Sequence, residues 1–562
     1  MARRAGGPSA TLAMLLALAL VVGACQSQPS GPTPQTGSDQ PDPGGELVTN
    51  MGGEPDTIDP HKASFLGEIA VIMTVFEGLM SLDPKTLATV PAAAAKDPGV
   101  SADGKVWKFT LRDDLKFSDG TPLKAQDYVR GFARTCDPAT LGEYAFVLYV
   151  IEGCEKWNKM QPRKVTPAEL DAAKKALGIR ALSGTEIEFR LREPAAYFGS
   201  ITYMWVGMPV KQESLDKGGE KWTEPATYIG NGPFKLVEWK HNEKMVFEKN
   251  EHFRMPVKLK RWTRMMINEG AVAYAAYRSN ELDLAGVAAE DLRTVESDPE
   301  LKAQVSDLPG SCTFYFSFNT RKPPFDDIKV RQAFARSFDR EAYIRDVQRI
   351  GTPASGGFIP PGFPGHDPQD DGQKFDPILA KKLLSESRYA GRPELQNIKL
   401  TYPTGGRTKI RIEWAQQQWK ANLGIEVVLD PVDGTAYSQL VKRAETLPLL
   451  FQLGWCADFP DQQNWLTTVF HSDSESLSRT GWKNEEFDKL TRQADQESSK
   501  EKRDQTYLLA SRIATREAPA AWLFYNASKF LMKPWVKGVT HTAIDAALGQ
   551  FRLWEIYVTK KR

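Results

Sequence analysis

The sequence lacks the short motifs that accompany hydrolytic, nucleotide-dependent and metal-dependent chemistry. No G-x-S-x-G, H-E-x-x-H or P-loop pattern occurs in its 562 residues. None of the five cysteines stands in a C-x-x-C arrangement, which argues against a zinc or redox site. None of the six histidines is three or four residues from another, so no helical metal site is indicated. These absences predict a protein with no enzymatic activity, no metal and no cofactor.

The chain also lacks an excess of charge of either sign. Lys and Arg number 72 against 71 Asp and Glu, a net charge of +1, so there is no electrostatic case for a nucleic-acid partner. Beyond the N-terminus no apolar run reaches the roughly 18 residues of a membrane span. A length of 562 residues exceeds a single hydrophobic core and predicts two or three domains.

The first 25 residues have the pattern of a targeting segment. Arg3 and Arg4 precede an apolar run at 12–22, which ends in Val-Gly-Ala-Cys with the cysteine at Cys25. This ending resembles the lipobox of bacterial lipoproteins, in which the cysteine is lipidated and becomes the first mature residue. The alternative is plain secretory cleavage after Ala24. A diacylated Cys25 would anchor the chain stably at a membrane surface.

Residues 26–45 predict a disordered tether. They contain five prolines, several small polar residues and no large apolar side chain. A globular body on such a tether suggests work outside the cytoplasm, at the outer face of a bacterial cell membrane.

Four cysteines remain after Cys25, and four allow three pairings. In an exported protein an even number favours disulfide bonds. We favour the pairs Cys136–Cys154 and Cys312–Cys456, the first on spacing and parity alone.

Periodicity predicts a mixture of α and β structure. Strands are expected at 46–50, 105–111, 185–191 and 312–318, a hairpin within 228–250, and helices at 69–79, 125–134 and 330–338. A βαβ unit is predicted at 398–402, 409–422 and 425–429, and 485–517 is expected to be mostly helical. The combination predicts α/β lobes around mixed sheets.

One short stretch concentrates unusual chemistry. An apolar strand at 447–451 is followed by a predicted loop, 454–459, that presents a flat aromatic face at Trp455 and a carboxylate at Asp458. Such an acid is able to meet a cation. The plainer interpretation is a loop with a core tryptophan and a solvated aspartate.

Ordered motifs across the body resemble those of the solute-binding lipoproteins of bacterial ABC importers, in the peptide-binding group and especially its oligopeptide-binding members. The resemblance runs from about residue 46 to near the C-terminus. It rests on Asp-Pro-His-Lys at 59–62, Phe-Glu-Gly-Leu at 76–79, the segments 103–112 and 117–122, Glu-Lys-Trp-Thr at 220–223, Gly-Asn-Gly-Pro-Phe at 230–234, Phe-Asn at 318–319, Lys-Pro-Pro-Phe at 322–325, Val-Arg at 330–331 and Gly-Trp-Cys-Ala-Asp at 454–458.

This resemblance implies a periplasmic-binding-protein type II fold, with two α/β lobes that close by a hinge and an extra third domain. Lobe I would comprise 46–76, 202–311 and 527–562, the extra domain 77–201 and lobe II 312–526. The family implies a monomer that captures an oligopeptide and delivers it to a membrane permease. It also supports the pair Cys312–Cys456, because both match a disulfide of oligopeptide-binding members.

By the same resemblance, Asp458 matches the acid that meets the peptide's terminal ammonium. Main-chain groups of the peptide would pair with an edge at Gly454, Trp455 and Cys456. The opposite edge would lie near Ser64 to Leu66. Positions that match pocket-lining residues are Trp455, Tyr315 and Arg443.

The sequence departs from the family where basic side chains meet the carboxylate of a short peptide. Gln348, Thr408 and Gln452 stand there, all neutral, so ligand length stays open. Arg407 or Lys409 is an alternative partner for that carboxylate.

Other functions remain open. Relatives of this kind also take dipeptides, signalling peptides, haem or nickel chelates, although Asp458 disfavours ligands without an ammonium. A secreted hydrolase and a structural envelope protein are alternatives of different classes.

Overall fold

The protein has a mixed α/β fold, seen here in a computed structural model that describes residues 40–562 except 355, 406–407, 442–444, 475–479, 547–548 and 561–562. The predicted signal segment, Cys25, Arg407 and Arg443 lie outside the described residues. So does most of the predicted tether.

The strands follow one another along the whole described chain. In order they are β1 (Glu46–Asn50), β2 (Met80–Leu82), β3 (Thr89–Pro91), β4 (Gly99–Val100), β5 (Val106–Thr110), β6 (Ile179–Ala181), β7 (Glu186–Arg190), β8 (Phe234–Lys240), β9 (Lys244–Lys249), β10 (Arg261–Met265), β11 (Leu284–Gly286), β12 (Val305–Phe318), β13 (Thr352–Pro353), β14 (Ile398–Pro403), β15 (Val427–Val432), β16 (Leu450–Cys456), β17 (Ala520–Met532), β18 (Val536–Lys537) and β19 (Tyr557–Val558).

The helices lie between these strands. They are α1 (Leu66–Val75), α2 (Ala125–Cys136), α3 (Cys154–Asn158), α4 (Pro167–Lys175), α5 (Phe198–Ile201), α6 (Gln212–Gly218), α7 (Gly270–Arg278), α8 (Leu292–Ser297), α9 (Pro299–Lys302), α10 (Ile328–Arg336), α11 (Arg340–Tyr343), α12 (Pro377–Ser385), α13 (Thr408–Leu423), α14 (Gly434–Val441), α15 (Gln462–Trp465), α16 (Thr467–Phe470), α17 (Glu485–Gln496) and α18 (Lys500–Glu517).

Three larger sheets organise the described residues. One has the order β1-β10-β9-β8, a second the order β4-β5-β7-β6, and the third the order β11-β17-β12-β16-β14-β15, with β13 paired to β17. The predicted βαβ unit is confirmed, because β14 and β15 pair in parallel on either side of α13. The predicted hairpin is formed by β8 and β9.

Several predicted elements have different ends in the structure; the strand predicted at 312–318, for example, begins at Val305. The helix predicted at 69–79 runs from Leu66 to Val75, and Phe76 is already extended. It ends there because the loop at 230–232 packs onto its last turn, where Gly232 N donates to Val75 O at 2.8 Å. The strand predicted at 447–451 runs instead from Leu450 to Cys456, because pairing with β12 continues through the register Cys312↔Cys456.

The third sheet crosses the boundaries that the resemblance implies between the two lobes. β12 spans the boundary at 311/312 and β17 the boundary at 526/527. Their antiparallel register shifts between Pro309 and Thr313, opposite Asn526. Such a bulge interrupts the ladder and bends the strand. The two strands that cross these predicted boundaries therefore carry an irregularity at the same level.

Both favoured cysteine pairs are disulfide bonds in the structure. Cys136 at the end of α2 joins Cys154 at the start of α3, with the Cα atoms 5.2 Å apart. Cys312 and Cys456 are direct neighbours on β12 and β16 and close a separation of 144 residues. The second bond ties the end of β16, and so the loop that carries Asp458, to β12.

Over the range that the structure describes, no helix has both the length and the apolar character to cross a membrane.

Candidate functional site

Asp458 lies in the loop after β16 and is held by neutral hydrogen-bond donors. Tyr144 Oη donates to its Oδ1 at 3.3 Å, and Asn464 Nδ2 donates to its Oδ2 at 3.1 Å. Asn464 Oδ1 in turn accepts from the Asp458 amide and from Trp455 Nε1, at 3.1 and 3.2 Å. Tyr203 Oη donates to the Asp458 carbonyl at 2.6 Å. Tyr144 and Asn464 thus hold the carboxylate and Tyr203 holds the main chain, so that Asp458 is bonded by groups from all three predicted domains.

No lysine, arginine or histidine among the described residues forms an ion pair with Asp458. Burial raises the pKa of this carboxyl from 3.8 to about 6, and the hydrogen bonds from Asn464 and Tyr144 oppose that rise. A carboxylate in this setting is stabilised by any cation that comes close enough to offset its lost hydration. The geometry therefore suits an incoming ammonium or guanidinium group.

The strand that leads to Asp458 has one open side. β16 pairs with β12 over its whole length, but with β14 only at Leu450 and Phe451. Among the described strands none pairs with 453–456 on the side away from β12. This part of β16 leaves main-chain groups available to an added strand.

Gly454 sits at the centre of this open edge and packs tightly against β12. A Cβ at this position would lie 2.9 Å from the ring of Phe314. The glycine is therefore required by the close approach of a core aromatic ring to the strand.

The stretch from Ser64 to Leu66 is not a second strand edge. The amides of Ser64 and Phe65 both donate to Glu68 Oε2, at 2.8 and 3.0 Å, and Leu66 begins α1. Phe65 and Leu66 are nevertheless exposed, at 65% and 59%. The stretch offers two apolar side chains to a neighbour, and two of its amides are already bonded.

A cavity of about 540 Å³ lies beside the irregular part of β12 and β17. Its walls include Leu66, Arg264, Cys312, Asn526, Asp545 and Ala457, the residue before Asp458. This volume is in the range of ligand-binding pockets. The start of α1, the bulged strands and Ala457 in the loop after β16 thus line one cavity.

The structure brings only some of the predicted site residues to this place. Trp455, Cys456 and Gly454 lie on the open edge, and Leu66 on the cavity wall. Tyr315 is 3% exposed, and its ring packs against Phe358 and Trp522 in the core. Tyr315 is not among the described residues that line the cavity.

The three neutral positions stand in three different elements: Gln348 ends the short π-helix Ile344–Gln348, Thr408 begins α13 and Gln452 lies in β16. Gln348 Oε1 is buried with no described hydrogen-bond partner. Lys409 pairs with Glu413 at 3.7 Å on an exposed surface.

Sequence reasoning missed Tyr144, Tyr203 and Asn464, which hold Asp458, and Arg264, which lines the cavity. Tyr144 and Tyr203 are far from Asp458 along the chain and carry no local pattern. Asn464 had a weak signal, since it follows Asp458 by six residues at the start of a short helix.

Residues 88–476 match the family of bacterial extracellular solute-binding proteins, family 5. The chain belongs to this family. Its members bind solutes and are not classed as enzymes, and family members are extracytoplasmic or periplasmic proteins.

The chain is similar to named relatives over nearly its full length. It is 30% identical to the oligopeptide-binding protein OppA of Bacillus subtilis, over 94% of this chain and 95% of that one. It is 31% identical to the periplasmic murein peptide-binding protein MppA of Escherichia coli, over 88% and 90%. The solved structure of the Escherichia coli murein tripeptide binding protein MppA superposes with a TM-score of 0.75 at 29% identity, covering 93% of this chain and 100% of that one.

Haemophilus influenzae OppA, solved in complex with the peptide RPPGFSPFR, superposes with a TM-score of 0.72 at 26% identity, over 93% and 100%. The type II periplasmic-binding fold expected from the sequence is therefore confirmed.

Proposed function

We propose that this protein captures oligopeptides between two closing lobes and delivers them to an ABC permease. The observation that carries the proposal is Asp458, a carboxylate fixed by Tyr144 and Asn464 with no described cation beside it. It stands at the end of an open strand edge. Free-amine peptides share two features, a terminal ammonium and a main chain, and this arrangement meets both. The names of the relatives OppA and MppA support the same ligand class.

The roles follow from position. Asp458 neutralises the ammonium, which is costly to bury without an anion. Residues Gly454 to Cys456 pair with the peptide main chain, so side-chain identity contributes little to this part of the affinity. Trp455 is oriented by its bond to Asn464 and offers a flat apolar face. Leu66 contacts the ligand from the opposite side.

We assign lobe I to 46–76, 202–311 and 527–562, the extra domain to 77–201 and lobe II to 312–526. Closure is a hinge motion about the bulged segment of β12 and its partner in β17, supported by the register shift at 309–313. Since Tyr144 and Tyr203 both reach Asp458, ligand capture and contact between the domains are coupled at one loop.

We assign a lipid anchor to Cys25, preceded by a signal peptide at 1–25 and followed by a tether at 26–45. The support is the Val-Gly-Ala-Cys ending after an apolar run of signal-peptide length. The anchor would hold a monomeric binding protein at the outer face of the cell membrane, close to its permease.

The test compares peptides of two to eight residues with their N-acetylated twins in a thermal-shift assay. A ligand at a hundred times its dissociation constant adds about 2.7 kcal/mol of stability. We expect stabilisation by free-amine peptides, and loss of most of it in Asp458→Asn. The matched control is Asp504→Asn, a half-buried carboxylate of α18 that pairs with Lys500. Absence of any shift with every peptide would overturn the proposal, and equal binding of both twins would remove the ammonium role from Asp458.

A further inference from the structure

Arg264 on β10 is a buried cation without a carboxylate. Its side chain is 3% exposed. Nη1 donates to Ala70 O at 3.0 Å and Nη2 to Thr74 Oγ1 at 2.7 Å, both on α1, and the guanidinium stacks on the Trp262 ring at 4.2 Å. No acid in the described part of the chain lies within ion-pair distance of it. A guanidinium has five N–H donors, so these two bonds leave it under-satisfied.

Three other arginines have their partners within the fold: Arg340 and Arg503, which are buried, and Arg254, which is half-buried. Arg254 forms a forked contact with Glu77, and Arg503 with Asp461. Arg340 also lacks a carboxylate, but three acceptors surround it: Trp522 O at 2.6 Å, Phe338 O at 3.1 Å and Gln373 Oε1 at 3.4 Å. Arg264 donates fewer hydrogen bonds than any of these three.

Arg264 also differs in its surroundings, because it lines the 540 Å³ cavity beside β12 and β17. Asp545 lines the same cavity without pairing with it. The carboxyl of Asp545 accepts from Thr542 Oγ1 at 2.9 Å and from Gly549 N at 3.0 Å within its own loop. The cavity therefore presents a positive group whose counter-charge is not supplied by its described walls.

Burial lowers the pKa of Arg264 to about 9, so the side chain is still charged at neutral pH. An uncompensated buried charge is expensive, and the cost is recovered when an anion enters. A planar guanidinium favours carboxylates, which accept two of its N–H groups together.

We propose that Arg264 receives a carboxylate of the bound peptide, so that the protein prefers ligands with an anionic group placed in this cavity. This inference rests on the proposed peptide capture and adds a second charge contact to it. The ligand would then be read at two points, its ammonium by Asp458 on lobe II and a carboxylate by Arg264 on lobe I. The carboxylate has two possible sources, an acidic side chain or the peptide's C-terminus.

The experiment measures dissociation constants by calorimetry for two peptide sets. In the first, C-terminally amidated alanine tetrapeptides carry Glu or Gln at each position in turn. In the second, neutral peptides of two to six residues are compared as free acids and as amides. We expect one placement of the carboxylate to bind roughly ten- to a hundredfold more tightly than its neutral twin. The set in which this occurs identifies the source.

Arg264→Met should remove that preference and leave the affinity for neutral peptides unchanged. The matched control is Arg261→Met on the same strand, whose guanidinium is already paired with Glu248 and Glu46; it should keep the preference. Should Arg264→Met not fold, Arg264→Lys, which keeps the charge without the fork, should reduce the preference. Equal binding of all charged and neutral twins, or an unchanged preference in the Arg264 variant, would overturn the inference while peptide capture stands. Failure of every peptide to bind would instead overturn peptide capture, and this inference with it.

Discussion

Asp458 and Asp461 stand three residues apart in the chain, and their carboxylates differ in the charge of their hydrogen-bond partners. Asp461 is 8% exposed and meets Arg503 through two contacts, at 2.8 and 2.5 Å, while its Oδ1 also caps α15. Asp458 is held by a tyrosine and an asparagine, both neutral. The Asp461 carboxylate therefore has its counter-charge, Arg503, within the fold. The Asp458 carboxylate is held in position, but no cation among the described residues pairs with it.

The same contrast separates the arginines. Arg503 and Arg254 are forked onto carboxylates of the fold, whereas Arg264 lines the cavity with two neutral acceptors. From this difference in ion pairing we expect charged groups of a ligand to bind at Asp458 and at Arg264. Asp461 with Arg503 and Glu77 with Arg254 are neutralised within the fold, whereas Asp458 and Arg264 have no ion-pair partner among the described residues.

The difference between the two acids can be tested by replacing each one in turn and measuring stability. Asp461→Asn leaves Arg503 buried without an anion and should lower the free energy of unfolding by about 3–5 kcal/mol. Asp458→Asn should leave stability unchanged or raise it, because no cation loses its partner. Chemical denaturation at pH 7.5 measures both. Equal losses in the two variants would contradict the contrast.

The pH dependence of stability has a definite sign for Asp458. Its pKa is 3.8 in the unfolded chain and about 6 in the fold, so the native state favours the protonated form. This group therefore contributes stability below pH 4, and the contribution is lost as pH rises through about 6. Asp458→Asn should remove that part of the wild-type profile.

Peptide binding should show the opposite trend with pH. The ammonium requires the ionised form of Asp458, whose pKa of about 6 makes it mostly neutral at pH 5. A free-amine peptide keeps its charge across this range, because α-amino groups titrate near 8. Affinity should therefore fall about tenfold between pH 7 and pH 5, by the same arithmetic of bound protons. Calorimetry on wild type and Asp458→Asn measures the affinity at each pH. If the affinity depends on pH in the same way in both proteins, Asp458 is not the group that titrates.

Local patterns were sufficient for most of the fold. The hairpin of β8 and β9, the βαβ unit around α13 and the helical segment at 485–517 follow from periodicity and turn residues, which act over a few neighbours. The helix ending at Val75 and the extended length of β16 were misjudged. Both are decided by distant segments, the loop at 230–232 and strand β12.

The candidate site was less accessible to sequence reasoning. Asp458 was identified by its motif, but the groups that hold it come from positions 144 and 203, which no local spacing links to it. Arg264 resembles an ordinary alternating strand residue until the structure shows that it has no acid beside it. Unmatched charge is a property of the three-dimensional arrangement, and a sequence does not display it.

Replacing Tyr144 gives the smallest expected effect and tests how a hydrogen bond changes the pKa of Asp458. Its hydroxyl bond to Oδ1 is 3.3 Å long, and it lowers the pKa of the carboxyl against the effect of burial. Tyr144→Phe should weaken the binding of free-amine peptides about fivefold, which is equivalent to about 1 kcal/mol for one hydrogen bond. It should also move the midpoint of the pH profile upward, because the ionised form loses a donor. The matched control is Tyr149→Phe, whose hydroxyl donates to Asn158. A loss of affinity without a shifted midpoint would mean that Tyr144 acts through domain contact alone, since only a donor to the carboxylate changes its proton affinity.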